Sequence, residues 1–488
     1  MTRFLALLAL LASLAASATV AIATAPTADA QSGVVYVAPN GSDSNPGTRA
    51  RPKATVTAAM RQLGGGGEIR LRGGSYTIRN GSALLWQGGT ERRPLVVRSA
   101  PGERARLTSA QGNHCVVAAA DHIEIRNLDC TGWMGIGSFN SSHVVIAGNY
   151  VHDLAAPRTQ GIIVSGGRQD FRDVRVVKNR VVRVPHSGIS VGELRQNAAR
   201  NIVIKRNRVR QANYQFRNQA TGAGGTGSGI TVVGVNGAKI IRNDVRRTYG
   251  NAINCALSNN CRVRKNTAID AWNILFYGDN ATNSVFEDNV AKTTGDRRFM
   301  RNWGRGDIPA QGFVFANESG WFEGSGRATS GNIVRNNVAI DVDTGFRFGE
   351  YQNGAAGMRD TVVANNTFVG TSRCGIQIYD PPANRGNLVA NNIVVPDRGS
   401  TAFCGGDRGT TLRNNLWASG RVDGGLRSGD VREQPRFTQG SGLKASSYRL
   451  AAGSPGVNDG RNLDVVADDL RGVARPRGGR ADIGAYER

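Results

Sequence analysis

The sequence predicts an all-β solenoid, a parallel β-helix, on three observations. Ten segments carry an Asn at the same phase, a short alternating repeat follows most of them, and no helical periodicity runs through the chain. Each segment has an aliphatic residue or Phe three positions before the Asn and an apolar or small residue two positions after it. Most spacings lie between about 22 and 30 residues. The central residues are Asn149, Asn179, Asn207, Asn243, Asn266, Asn289, Asn337, Asn366, Asn392 and Asn415.

The alternating repeat reads as a strand with one buried face. Its copies are "GIIVSG", "GISVGE", "GITVVG", "NAINCA", "NILFYG", "GFVFAN", "GFRFGE" and "GIQIYD", with the second and fourth residues nearly all apolar. Two or three short strands per coil then stack into one elongated core, whose ends need caps. The recurrent Asn suits a turn because it tolerates left-handed backbone and hydrogen-bonds along its own stack. A β-sandwich does not explain an Asn at one phase ten times.

The chain divides into four parts. Residues 1–30 read as a signal peptide, with Arg3, an apolar run and an "ADA" cleavage site ending at Ala30. Residues 31–110 form the N-terminal cap and first coils, 111–420 the parallel β-helix, and 421–488 a tail that packs along the outside and covers the C-terminal end. No later stretch is apolar enough for a membrane span. We therefore expect a secreted monomer.

The composition points to anionic partners. The net charge is +24, which attracts acidic polysaccharides, wall polymers or nucleic acid, although an Arg-rich genome accounts for it equally well. No nucleic-acid-binding signature is present, so nucleic acid is the less favoured partner. Lys178, Arg206, Arg242 and Lys265 each precede a central Asn and form either a polyanion track or an ordinary exposed turn face.

The six cysteines predict disulfides in an exported chain. Proximity in the sequence pairs Cys115 with Cys130, Cys255 with Cys261, and Cys374 with Cys404.

The two ends of the mature chain resemble a known superfamily. "VVYVAPNGSDSNPGTRARPKATVTAAM" with "GGGGEIRLRGGSY", and the closing "GSPGVNDG" and "ADIGAYER", are similar to secreted right-handed parallel β-helix proteins of the pectate-lyase-like superfamily, including polysaccharide lyase families 6 and 9. The resemblance implies a right-handed β-helix, a carbohydrate substrate class and calcium as a cofactor to test. The family 9 calcium run has no match, because the adjacent aspartates Asp468 and Asp469 lie in the tail. The paired Lys and Arg of family 6 have no match either.

Candidate site residues come from the outward positions of the alternating repeat. Its third residues run Ile163, Ser190, Thr231, Ile253, Leu275, Val314, Arg347 and Gln377. Near the strand ends, an acidic row of Glu318, Glu350 and Asp380 is expected beside this column. Arg347 is assigned with the three acids as catalytic. The expected substrate-binding residues are Tyr277, Tyr351, Gln377, Tyr379, Trp303 and Trp321.

These side chains allow more than one chemistry. Carboxylates one coil apart suit a cation site or an acid and nucleophile pair, and two coils apart, at about 9.6 Å, they suit an inverting glycosidase. Arg347 would neutralise a uronate carboxylate or help to remove the proton beside it. The two tryptophans lie in an insertion whose aromatic and cationic residues suit sugar binding. The same residues also fit ordinary solvated surface.

Three functions remain open from the sequence. The first is a polysaccharide lyase, similar to pectate and alginate lyases, that cleaves an acidic glycan by β-elimination. The second is a glycoside hydrolase that uses paired carboxylates. The third is a non-catalytic β-helix protein that binds glycan or cell wall.

Overall fold

The computed structural model describes residues 33–167, 169–195, 197–217, 227–300, 306–318, 327–351 and 356–488. The chain winds as a parallel β-helix in which three long parallel sheets stack in register, as the sequence predicts. The predicted signal segment lies outside the described residues. No helix in the described ranges is long and apolar enough to cross a membrane.

Sheet 1 holds the strands that precede the central asparagines. Its strands are Val34–Val37, Gly67–Leu71, Leu95–Ser99, Ile123–Arg126, Val145–Ala147, Phe171–Val177, Ala199–Lys205, Val235–Asn236, Lys239–Ile241, Arg262–Arg264, Val285–Glu287, Ile333–Arg335, Val362–Ala364, Asn387–Ala390 and Thr410–Arg413.

Sheets 2 and 3 follow in each coil, and the strands Ala105–Ala118 and Asp129–Phe139 bend through both of them. Sheet 2 also contains Gly74–Ile78, Tyr150–Leu154, Arg180–Val184, Arg208–Ala212, Asp244–Thr248, Thr267–Ala271, Val290–Lys292, Val338–Ile340, Thr367–Thr371, Ile393–Pro396 and Leu416–Trp417. Sheet 3 also contains Leu84–Leu85, Ile162–Ser165, Ile189–Gly192, Ser228–Val233, Asn251–Ala256, Ile274–Asp279, Gln311–Glu318, Thr344–Tyr351, Cys374–Ile378 and Thr401–Gly405. A two-stranded sheet joins Thr329–Ser330 to Met358–Arg359.

The central asparagines form a buried ladder at the corner between sheets 1 and 2. The Oδ1 of Asn207 accepts from the main-chain N–H and the Nδ2 of Asn179 at 2.9 and 3.1 Å, and this pattern repeats from Asn149 to Asn415. The stacking prediction is confirmed. The left-handed backbone, however, belongs to the residue before each ladder Asn, such as Lys178 and Arg206, both with φ 57°. The expectation that the ladder Asn itself takes that geometry is wrong, because its side chain points inward along the stack.

The interior between the sheets is apolar and rich in phenylalanine. Phe276 stacks on Phe313 with ring centroids 4.9 Å apart, and Phe346 and Phe348 of "GFRFGEY" are fully buried. The alternation of that strand therefore places Arg347 on the outer face.

The first coil is capped by the helix Val56–Leu63, which the sequence analysis did not predict. The hydroxyl of Thr55 accepts from Ala58 N at 3.0 Å, Gly64 ends the helix in left-handed geometry, and Val56 and Met60 are buried. In the described ranges, short 3₁₀ turns cover Tyr214–Phe216, Arg297–Phe299 and Ala445–Tyr448.

The C-terminal tail packs on the outside of sheet 2, over its last coils. Tyr448 and Tyr486 contact Val338 and Ile340 of sheet 2. Arg475 and Glu487 form an ion pair at 2.8 Å, with both side chains 1% exposed. The tail thus replaces water on an apolar part of the sheet surface.

Two of the three predicted disulfides are present, Cys255–Cys261 and Cys374–Cys404. Cys115 and Cys130 are buried free thiols, so their predicted pairing is wrong. The Cys115 thiol instead donates to the carbonyl of Leu107 at 3.3 Å, and burial raises the pKa of Cys130.

Candidate active site on the outer face of sheet 3

The outer face of sheet 3 carries a straight column of side chains. Tyr277 pairs with Val314, Val314 with Arg347, and Arg347 with Gln377 on successive coils. Farther toward the N-terminus the register differs from the sequence alignment, because Asn254 and Tyr277 occupy the places assigned to Ile253 and Leu275. The column is therefore Ile163, Ser190, Thr231, Asn254, Tyr277, Val314, Arg347 and Gln377.

A polar network connects Gln377 to the turns that lead into sheet 3. Arg373 donates to both carboxylate oxygens of Asp343 at 2.7–3.1 Å and to Gln377 Oε1 at 3.0 Å. Arg347 Nη1 donates to Gln311 Oε1 at 3.1 Å. Because Arg347 and Gln377 are register partners, two guanidinium groups and two amides lie together along this edge of the sheet.

An exposed phenol lies beside this network. Tyr379 directly follows the strand Cys374–Ile378, two residues after Gln377, and it is 58% exposed. Its main-chain N–H donates to Phe348 O at 3.2 Å, which keeps it in step with the coil of Arg347. An exposed aromatic ring beside a guanidinium and an amide is a surface on which a sugar ring can stack.

A cleft of about 600 Å³ adjoins the same network. Arg373 and Asp343 form part of its wall, together with Thr294, Asp341 and Asp397 from neighbouring coils. Burial, and to a smaller extent the charge of Asp397, raises the pKa of Asp341. The cleft thus has a polar wall that contains groups of both charge signs.

A second cluster lies two to three coils away from Gln377 and is largely buried. The Tyr277 hydroxyl donates to Glu318 Oε1, and Asn280 Nδ2 donates to Asp279 Oδ1 at 2.5 Å. Burial raises the pKa of Asp279 far above the usual range, the negative charge of Glu318 raises it further, and burial also raises the pKa of Glu318. Tyr277 is only 3% exposed, because it packs with Ile274, Val314 and Ala316 in an apolar patch on the outside of the sheet.

The predicted acidic row is divided between separate surroundings. Asp380 Oδ1 accepts from the main-chain N–H of Arg408 at 2.9 Å, on the next coil toward the C-terminus, whereas Glu318 pairs with Tyr277. Trp303 and Trp321 lie outside the described residues, as do the side chains of Glu350 and Tyr351.

Asp343, Arg373 and Gln311 were not predicted from the sequence. A signal was available, because Asp343 and Arg373 each stand two residues before the Gly that opens an alternating repeat, Gly345 and Gly375. Opposite charges at the same offset on neighbouring coils indicate an ion pair.

The described residues do not supply a calcium site of the expected kind. Nowhere in the described ranges do three or more His, Cys, Asp or Glu side chains come together in an arrangement that could hold a metal ion. Calcium therefore stays a prediction from the resemblance alone.

Comparisons with known proteins support the fold. No protein family and no curated protein matches the chain. Among solved structures, XylC in complex with xylose is 10% identical with a TM-score of 0.55, covering 93% of this chain and 98% of that one. The PL6 family alginate lyase AlyGC is 16% identical with a TM-score of 0.50, and the match covers 86% of this chain and 57% of that one. The pectate lyase Pel9A is 17% identical with a TM-score of 0.42, and the match covers 93% of this chain and 96% of that one. At these identities the similarity to XylC and AlyGC shows the fold alone.

Proposed function

We propose that the protein is a secreted polysaccharide lyase that cleaves an acidic glycan by β-elimination on the outer face of sheet 3. The observation that carries this proposal is the register pairing of Arg347 with Gln377 on two neighbouring strands, with the exposed Tyr379 directly after the second strand. A guanidinium group binds a carboxylate in a forked geometry, an amide orients sugar hydroxyls, and a phenol both stacks on a sugar ring and exchanges a proton.

The chemistry assigns a role to each group. Arg347 neutralises the carboxylate of a 4-linked uronate, which stabilises the negative charge that develops when C5 loses its proton. The Tyr379 oxygen, as phenolate, takes that proton. The C5–H electron pair becomes the C4–C5 double bond, and the C4–O bond breaks with its electrons going to the departing sugar oxygen. That oxygen then takes a proton, which leaves an unsaturated uronate at the new end.

Other features support an acidic substrate and an exported protein. The net charge of +24 attracts polyanions, and AlyGC, whose fold this chain shares, acts as an alginate lyase. The disulfides Cys255–Cys261 and Cys374–Cys404 favour an oxidising compartment.

A second candidate function is glycoside hydrolysis by Asp279 and Glu318. The raised pKa values of the two carboxyl groups favour it, because a carboxylic general acid needs a pKa above its ordinary value. The burial of Asp279 and Tyr277 argues against it, since a glycan would first have to reach them. A non-catalytic glycan-binding role is the third possibility.

The test is ultraviolet absorbance of the unsaturated uronate, with purified protein on a panel of polyuronates. We expect absorbance to rise on at least one polymer. Arg347→Ala should lower kcat/KM by about 10²–10³-fold and Tyr379→Phe by about 10²–10⁴-fold. The exposed Arg385 provides a matched control, and Arg385→Ala should leave the rate unchanged. A parallel reaction with a chelator tests the calcium prediction.

The opposite results are equally specific. Reducing-sugar release without absorbance, abolished by Glu318→Gln, would replace the lyase with the hydrolase. If no polymer yields either product, glycan binding without catalysis is the remaining function. If the protein is an active lyase and the Arg347 and Tyr379 variants keep its rate, the active site does not lie on this part of sheet 3.

A further inference from the structure

A row of cations follows the corner between sheets 1 and 2, away from the candidate active site. Lys178, Arg206, Arg242 and Lys265 stand on consecutive coils, each directly before a ladder Asn. The first three are exposed and Lys265 is half-buried. Arg180 and Arg208 lie beside them on sheet 2, also exposed and paired in register. We call these six residues the corner ridge.

The ladder gives the corner ridge a regular spacing. Each of the four corner residues has φ between 55° and 57°, so their side chains leave the corner in the same way. Neighbouring strands of a sheet lie about 4.8 Å apart, which sets the distance from one corner cation to the next. The result is a straight line of charge parallel to the solenoid axis.

The nearby carboxylates are bound elsewhere and leave the corner ridge unneutralised. Asp244 pairs with Arg210 and Arg246, at 3.4 and 2.6 Å. Asp288, which ends the row, pairs with Arg264 at 2.9 Å. None of the six ridge residues has a carboxylate within 4.0 Å in the part of the chain that the structure describes. Unneutralised cations in a row produce a local positive potential that attracts an extended anion.

We propose that the corner ridge binds a linear polyuronate that lies parallel to the solenoid axis. Such a polymer carries one carboxylate per sugar, and one pyranose ring is about as long as the spacing of about 4.8 Å between coils. Because the chain is extended and carries a carboxylate on every sugar, the carboxylates that face the corner can pair with cations of the straight row without the polymer bending. Duplex DNA fits less well, because its charges follow a helical path, one per about 1.7 Å of axis, and turn away from a straight row one residue wide.

The corner ridge would act as an anchor and not as a place of chemistry. It lies at the corner between sheets 1 and 2, whereas the candidate active site lies on the outer face of sheet 3. A polymer held at the corner is therefore tethered while another segment or chain reaches sheet 3. This binding does not depend on the proposed lyase activity, and a protein with either function alone remains consistent with the geometry.

The experiment measures binding of a fluorescent oligogalacturonate by anisotropy in the Arg347→Ala background, where the proposed active site is impaired. The ridge variant combines Lys178→Asn, Arg206→Asn, Arg242→Asn and Lys265→Asn. Asparagine is the substitution that this fold accepts, because the same place holds Asn with left-handed backbone in later coils. These residues are Asn336, Asn365, Asn391 and Asn414, with φ of 52–56°. Thermal unfolding checks that the variant folds.

A matched control removes the same charge elsewhere, at exposed cations far from the corner: Arg51→Gln, Arg79→Gln, Arg92→Gln and Lys444→Gln. We expect the ridge variant to weaken binding by at least about tenfold, since four ion pairs with the polymer are lost together, and to bind with less dependence on salt. The control should change binding much less. Equal losses in both variants would reduce the effect to net charge and overturn the proposal. Loss of duplex DNA binding with intact oligogalacturonate binding would assign the ridge to nucleic acid instead.

Discussion

Asn207 lies in the middle of the ladder, and replacing it with Ala measures what the ladder contributes to stability. The side chain is fully buried and takes part in four hydrogen bonds. Its Oδ1 accepts from Asn179 N and Nδ2, at 2.9 and 3.1 Å. Its Nδ2 donates to Val176 O at 2.8 Å and to Asn243 Oδ1 at 3.0 Å.

The expected cost follows from these four bonds. A buried hydrogen bond contributes about 0.5–1.5 kcal/mol net, so the four together contribute about 4 kcal/mol, and the groups left without partners push the cost upward. That is a large share of a typical total stability of about 5–15 kcal/mol. Because coils contact only their neighbours, the damage should also be local, with faster amide exchange in the coils from residue 176 to 243.

Urea unfolding and hydrogen exchange by mass spectrometry test both parts. Asn236→Ala is the control, since Asn236 accepts a single exposed hydrogen bond from Asn260 and its loss should cost less than about 0.5 kcal/mol. If Asn207→Ala unfolds within about 1 kcal/mol of the control, the ladder is a consequence of stacking and not a source of stability.

Two further predictions concern buried charges. Asp279 has a raised pKa in the folded state, so its contribution favours folding below its ordinary pKa of 3.8 and is lost as pH rises through the folded value. Asp279→Asn should therefore raise Tm at pH 8 and have a smaller effect near pH 4, and a lower Tm at both pH values would contradict this. Glu487→Ala leaves Arg475 buried without its carboxylate, which should cost about 3–5 kcal/mol and expose the tail to protease. Equal protease resistance in Glu487→Ala and the exposed control Glu433→Ala would show that the pair does not hold the tail.

Much of the scaffold could be predicted from the sequence because the ladder repeats at one phase. The strand of Phe346 and Phe348 also alternates cleanly, so Arg347 could be placed on the outer face. The alternation fails in "NILFYG", where Leu275 and Phe276 both enter the interior while Ile274 and Tyr277 join the outer apolar patch. When both faces of a strand are apolar, period two no longer identifies the outward residues, and the column was assigned wrongly at that coil.

The partners of the site residues could not be predicted in the same way. Whether Glu318 faces Asp380 or Tyr277 depends on how the chain leaves each strand, and the strand pattern contains no information about that. Asp380 turns toward the Arg408 backbone, whereas Glu318 meets the Tyr277 hydroxyl. Residues that follow the end of a strand are thus the least predictable part of a solenoid, although they are well placed to form a site.

The two proposed binding surfaces differ in the way that the fold builds them. At the corner between sheets 1 and 2, the two strands of each coil are joined by one left-handed residue and a ladder Asn, so the spacing of side chains from coil to coil there is constant. Between sheets 2 and 3 the connections vary in length, and the long ones run from Ala212 to Ser228 and from Lys292 to Gln311. A constant corner suits a regular polymer that is held by charge, whereas variable connections build an irregular cleft around Arg373. Binding at the corner should therefore tolerate a shift of the polymer by one coil, while chemistry at sheet 3 requires one position.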